Sequence, residues 1–141
     1  MKKYAPYLLK TTIVAVVIAI TLISCETTDN PGPTDARDNF AGQWFCTETP
    51  VSPSGSNVTF NVNITKDVNN TTDIKISNFS SLSGNAIGVV SGNSLTINSQ
   101  TLDGNTISGN GTYSSANNKI NLSYSVNDGL TNQTYTAVYS K

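Results

Sequence analysis

The stretch "NVTFNVNITK", residues 57–66, decides the fold class of this chain. Apolar side chains occupy every second position, and asparagine or threonine fills the positions between them. This strict alternation is typical of an antiparallel β-strand that packs one face on a core and exposes the other face to water. "KINLSYSVND", residues 119–128, repeats the alternation much later in the chain.

Shorter alternating stretches fill the rest of the chain after residue 39, and no window there has a helical period. Turn signals such as "SGN" at 91–93 and "DGN" at 103–105 place glycine where a tight hairpin needs a positive φ. Eight short strands in sequence order predict an all-β fold, an antiparallel meander that closes into a small eight-stranded barrel. A β-sandwich is the alternative. The predicted strands are 40–48, 57–66, 72–79, 85–91, 94–99, 105–114, 118–127 and 131–140.

The side chains predicted to point into this barrel are mostly large. An eight-stranded barrel has an interior just wide enough for side chains or one small ligand, so we expect it to be mostly filled. Gly109 and Gly111, two residues apart on one face of a predicted strand, indicate a bend. The large inward residues are Trp44, Phe60, Val62, Ile64, Ile74, Ile76, Ile97, Ile107, Tyr113, Leu122, Tyr124, Tyr135 and Tyr139.

The first 24 residues have the features of a secretory signal peptide. The apolar run 13–23 has eleven residues, and as a helix it would span about 16 Å, against the ~30 Å of a bilayer core. Lys2, Lys3 and Lys10 precede the run and give it a positively charged leader. A charged leader followed by a short apolar stretch favours a cleaved signal over a membrane-spanning helix.

"LISC", residues 22–25, resembles the bacterial lipobox, an aliphatic residue followed by a tolerated one, a small one and cysteine. The resemblance implies cleavage between Ser24 and Cys25, with a diacylglycerol on the Cys25 sulfur and a further acyl chain, such as palmitate, on its amino group. Two or more buried acyl chains anchor a protein stably. We therefore expect a lipoprotein of the cell envelope that Cys25 anchors to the outer membrane, facing the periplasm or the cell surface.

Residues 25–38 contain two prolines, a glycine and several acids without an apolar period, which predicts a flexible tether before a domain at 39–141. After cleavage, five basic side chains would remain against nine acidic ones, a net charge of −4. This balance argues against a nucleic-acid partner, because nucleic-acid binding needs a clustered basic surface.

"NFAGQWFC", residues 39–46, contains Gly42-x-Trp44 at the head of the first predicted strand. This motif resembles the G-x-W opening of lipocalins and related calycin barrels, in which the tryptophan packs across the closed end of the barrel. Together with the lipobox and the late strands at 92–128, the chain resembles the small lipocalin-like lipoproteins of Bacteroidota. The resemblance implies a binding module for a small apolar ligand or a partner protein.

The chain has no histidine, which removes the commonest general base and the commonest zinc ligand. Its carboxylate pairs, Asp67 with Asp73 and Asp103 with Asp128, lie at predicted turns, where aspartate serves the turn itself. We therefore expect no enzyme activity, no metal and no cofactor. Cys46 shares the face of Trp44, so we expect it to point inward and to behave as a small apolar side chain.

Two functions stay open at this stage. In the first, the barrel binds a small apolar ligand or a partner protein, and the candidate ligand-lining residues are Trp44, Tyr113, Tyr124, Tyr135 and Tyr139. Tyrosines suit this role because their rings are apolar while their hydroxyls need a polar partner when buried. In the second, the barrel is solid, binds no small molecule, and serves as a structural or accessory surface lipoprotein.

Overall fold

Eight antiparallel strands form a closed barrel in sequence order in this computed structural model, which describes residues 34–141. β1 pairs with β8 to complete the barrel, so the meander prediction is confirmed and the sandwich alternative is wrong. The strands are β1 (Gly42–Ser52), β2 (Val58–Lys66), β3 (Asp73–Ser77), β4 (Asn85–Ser91), β5 (Ser94–Leu102), β6 (Asn105–Ser114), β7 (Lys119–Asn127) and β8 (Asn132–Ser140). The predicted signal peptide 1–24, Cys25 and most of the predicted tether lie outside the described residues.

The observed strand bounds differ most from the predicted ones in β1, which ends at Ser52 instead of residue 48. They also differ in β5. The predicted strand ends at residue 99, whereas β5 continues to Leu102 after a register shift between Ile97 and Gln100. The side chain of Gln100 accepts from the Ile87 backbone N–H at 2.8 Å and donates to the Ile87 carbonyl at 2.7 Å. A side-chain amide thus joins β4 to β5 beyond the last backbone pair, Val89 with Thr96.

The interior of the barrel is filled by alternate residues of every strand. All the large residues predicted to point inward are buried or packed against the buried core, and Cys46 is fully buried as expected. Burial, and to a lesser degree the nearby Glu48 charge, raises the pKa of the Cys46 thiol to about 12. The buried core comprises Phe40, Trp44, Cys46, Val62, Ile64, Ile74, Ile76, Phe79, Ala86, Val90, Leu95, Ile97, Leu102, Ile107, Ile120, Leu122, Tyr124, Ala137 and Tyr139.

Gly109 and Gly111 allow β6 to lie close to β7. A Cβ atom added at Gly109 would be 2.4 Å from the Cβ of Tyr124, and one at Gly111 would be 2.9 Å from the Cγ of Leu122. β6 nevertheless keeps an unbroken register with β7 from Thr106 to Ser114. The two glycines therefore make room for the side chains of the neighbouring strand.

A 3₁₀ helix at Ala36–Asn39 and the fully buried Phe40 cover one end of the barrel, which we call the helix end. Trp44 is 1% exposed there, and its indole N–H donates to the Phe40 carbonyl at 2.6 Å. The Lys141 ammonium lies 4.2 Å from the centroid of the Trp44 ring and donates to the Ala41 carbonyl at 3.0 Å. The tryptophan thus packs across a covered end, as the G-x-W resemblance implies.

Arg37 attaches the residues before β1 to the barrel. Its guanidinium donates to the carbonyls of Asp67, Asn70 and Asp73, at 3.0, 2.7 and 3.3 Å, and pairs with Asp35 at 2.8 Å. The described part of the predicted tether, residues 34–38, therefore contacts the β2–β3 loop. Within residues 34–141, no helix has the length and apolar character needed to cross a bilayer.

Candidate functional site

The opposite end of the barrel, which we call the pocket end, carries the loops β1–β2, β3–β4, β5–β6 and β7–β8. A pocket of about 200 Å³ opens there. This volume lies below the ~300 Å³ at which pockets for drug-sized ligands begin, so the pocket suits a smaller molecule. Its lining consists of Ser80, Leu82, Asn105, Val126, Asp128, Thr131, Gln133 and Tyr135.

Asp128 holds the β7–β8 turn in place and contributes a negative charge to the pocket. Its carboxylate accepts from the backbone N–H groups of Thr131 at 2.7 Å and Leu130 at 2.8 Å, and from the Thr131 hydroxyl at 3.1 Å. These hydrogen bonds lower the pKa of Asp128, the backbone N–H of Thr131 having the largest effect. Asp128 is therefore ionised at neutral pH.

The β3–β4 loop forms another wall of the pocket and has an unusual backbone. Asn78, Ser80 and Ser81 all have left-handed φ values, at 58°, 51° and 59°, a region that residues other than glycine seldom adopt. Phe79 is fully buried between them, and its ring lies 4.5 Å from the ring of Tyr124. Insertion of Phe79 into the barrel thus fixes the loop and presents Ser80 to the pocket.

Glu48 is the only buried charged residue in the part of the chain that the structure describes. It is 4% exposed and accepts a hydrogen bond from the Tyr124 hydroxyl. Burial raises the pKa of Glu48, and a contact with the Ser80 side chain partly opposes this shift. The carboxyl group therefore lies beneath the pocket, in contact with the pocket residue Ser80.

A stack of two tyrosines also links Glu48 to the pocket. The ring centroids of Tyr124 and Tyr135 are 5.3 Å apart with an interplanar angle of 24°. Tyr135 lines the pocket, and its hydroxyl donates to the Gln133 side chain. Burial, together with the negative charge of Glu48, raises the pKa of Tyr135. Glu48 thus acts electrostatically on a side chain that a ligand would touch.

The structure does not bring the five predicted lining residues together. Tyr124 and Tyr135 lie side by side at the pocket end, and of the five only Tyr135 lines the pocket. Trp44 and Tyr113 lie at the helix end, where Tyr113 contacts Phe40 at a centroid distance of 5.9 Å. Tyr139 is fully buried, and its hydroxyl has no hydrogen-bond partner among residues 34–141.

Glu48 was not among the predicted site residues, although the sequence contains a signal for it. Trp44, Cys46 and Glu48 occupy alternate positions, so a strand that points the tryptophan inward points the glutamate inward too. All three side chains are buried. Residues 34–141 contain no group of three or more aspartate, glutamate or cysteine side chains placed to hold a metal ion.

The closed, eight-stranded antiparallel barrel, with its tryptophan at a helix-covered end, is consistent with a lipocalin-like fold. Comparison with protein-family profiles and with curated proteins found no match. We therefore infer the function from the geometry of the pocket and from the residues of this chain.

Proposed function

We propose that this chain is a non-enzymatic binding module of the cell envelope that takes a small molecule at the pocket end of its barrel. The observation that carries the proposal is the pocket of about 200 Å³, whose residue Tyr135 stacks on Tyr124 above the buried Glu48. Buried aromatic rings with a few polar groups converging on one concave site are typical of ligand pockets.

The filled interior limits what the module holds. Large side chains occupy the barrel from Trp44 at the helix end to Phe79 beneath the β3–β4 loop. A long apolar ligand of the kind that large barrels enclose would have to displace this core, which is closely packed. The same filling favours the second candidate function, an accessory lipoprotein with a solid barrel and no small-molecule ligand.

A pocket-filling variant distinguishes these two functions. Fragment-sized molecules are screened by ligand-observed NMR against the purified chain, and the hits are then tested against two valine-to-phenylalanine variants. Val126→Phe fills the pocket, whereas Val138→Phe adds the same ring to the outer face of β8, where Val138 is 37% exposed. We expect Val126→Phe to weaken binding at least tenfold and Val138→Phe to leave it unchanged. An absence of hits, or hits that tolerate Val126→Phe, would favour the solid barrel.

We also propose that acyl chains on Cys25 anchor the module to the outer membrane. The support is the "LISC" stretch at 22–25 behind a short apolar run. Thr34, the first described residue, precedes the 3₁₀ helix at the helix end of the barrel. The segment that would carry the anchor therefore enters the domain at the helix end, at the opposite end from the pocket.

The anchor has a direct test in a Gram-negative host. Intact mass spectrometry of the purified chain should give the mass of residues 25–141 plus acyl groups, and the chain should partition into the detergent phase. Cys25→Ala should lose both properties, because no other cysteine follows a lipobox. If the chain with Cys25 in place has the mass of an unacylated protein, the anchor is refuted and the pocket proposal still stands.

A further inference from the structure

We infer that the ligand of the pocket is a small organic cation, an ammonium ion attached to a compact apolar or aromatic body. This inference rests on the proposed binding function and names the chemical class of the ligand. It differs from the small apolar molecule that the fold resemblance implies, because the charged groups around the pocket are all of one sign.

The charges of the barrel are separated by end. Residues 34–141 contain five basic side chains, and all of them lie at or near the helix end: Arg37, Lys66, Lys75, Lys119 and Lys141. Four of the seven acidic side chains lie there too, at Asp35, Asp38, Asp67 and Asp73. The four ion pairs of the described residues all join members of these two sets.

The three remaining acids, Glu48, Asp103 and Asp128, belong to the pocket end, which has no basic side chain in the described structure. A concave site lined by one sign of charge attracts ions of the opposite sign. The pocket itself contains Asp128, and Glu48 lies beneath it. A cation entering the pocket would therefore be attracted from both its rim and its floor.

Glu48 adds a second, independent reason. A carboxylate removed from water without a cation loses its hydration, which raises its pKa, as burial does for Glu48. The hydrogen bond from Tyr124 replaces part of that hydration, but no described basic group balances the charge. A cationic ligand would supply the missing charge across a site of low dielectric, where attraction is stronger than in water.

The aromatic wall of the pocket suits the same ligand. The faces of aromatic rings attract cations, and tyrosine is one of the better rings for this contact. Tyr135 lines the pocket, while Leu82 and Val126 provide apolar surface for the rest of the ligand. A volume of about 200 Å³ accommodates one aromatic ring with a short aminoalkyl group.

The test uses benzylamine as the probe, with benzyl alcohol and benzoate as neutral and anionic matches of nearly the same shape. Affinities for the purified chain are measured by ligand-observed NMR at pH 7.5. We expect benzylamine to bind at least tenfold more tightly than benzyl alcohol. Benzoate should bind most weakly of the three. Equal or tighter binding of benzyl alcohol would overturn the charge inference. If benzyl alcohol binds the unsubstituted chain and this binding is lost in Val126→Phe, the proposed binding function stands, although the charge inference does not.

Variants then locate the attraction. Glu48→Gln and Asp128→Asn should each weaken benzylamine about tenfold, whereas Asp38→Asn, which removes the same charge at the helix end, should change it less than twofold. Equal losses in all three variants would attribute the effect to net charge and overturn the inference. Thermal unfolding by circular dichroism shows whether each variant is folded. If Glu48→Gln does not fold, Asp128→Asn still decides the test.

Lowering the pH supplies a final check. Burial raises the pKa of Glu48, so protonation begins closer to neutral pH than for an exposed glutamate. The titratable groups that face it are Cys46, Tyr124, Tyr135 and Tyr139, none of which is a carboxyl group. Benzylamine affinity should therefore fall as the pH is lowered through the pKa of Glu48, and Glu48→Gln should remove most of this dependence. An identical pH profile in Glu48→Gln would contradict a role for Glu48.

Discussion

Replacing Trp44 with alanine is expected to lower the free energy of unfolding by about 3–5 kcal/mol, the usual cost of truncating a buried aromatic side chain. The indole is 1% exposed and lies against the Lys141 side chain. Its removal also leaves the Phe40 carbonyl without the N–H that donates to it at 2.6 Å. Trp44 is the only tryptophan, so denaturant unfolding should be followed by circular dichroism rather than by tryptophan fluorescence.

Phe45→Ala is the matched control for this substitution. Phe45 is the next residue of β1, it points to the outer face, and it is 49% exposed. Its truncation should cost well under half as much as that of Trp44, because half of its surface already contacts water. Similar losses for the two variants would mean that the helix end does not depend on Trp44.

Gly109→Ala is expected to destabilise the barrel by about 3 kcal/mol, at the upper end of the usual cost of overpacking a core. The added methyl carbon would lie 2.4 Å from the Cβ of Tyr124 and 2.6 Å from the Ser123 carbonyl oxygen. These atoms belong to the β7 backbone or are bonded directly to it, so they cannot move aside without separating β6 from β7. Thermal and denaturant unfolding measure the loss.

Gly92→Ala separates steric overlap from the general cost of replacing glycine. Gly92 has a φ of 57°, and an added Cβ would meet nothing within 4 Å. The expected cost is about 1–2 kcal/mol, the penalty of a left-handed residue with a side chain. If Gly109→Ala costs no more than this, close approach of β6 and β7 is not the reason for a glycine at position 109.

The fold was predictable from the sequence because the alternation of apolar and polar residues is nearly unbroken. Where the alternation breaks, the predicted strand ends before the observed one. The apolar period of β5 stops after Ile97, and the strand continues only because of a register shift and the Gln100 side chain. A side-chain amide that joins two strands leaves no periodic signal.

The candidate site was less predictable than the fold. A two-residue period separates inward from outward side chains, but it does not show which inward side chains lie at the same level along the barrel axis. Tyr113 lies near the end of β6 at the helix end, and Tyr124 lies in the half of β7 nearer the pocket end, so the two tyrosines face different parts of the interior. Asp128 was interpreted as a turn residue, and it is one. Its place in the pocket depends on the β3–β4 loop, which only the folded chain brings beside it.

The Lys141 side chain, which covers the Trp44 ring, has a consequence for how such a domain can vary over evolution. It places the last residue of the chain at the helix end, beside the segment that leads into β1. Lys141, the segment that leads into β1 and the packing of the helix end thus all lie away from the pocket. Substitutions and insertions in the four loops of the pocket end can therefore leave the covered end intact, so this surface can change while the barrel stays stable.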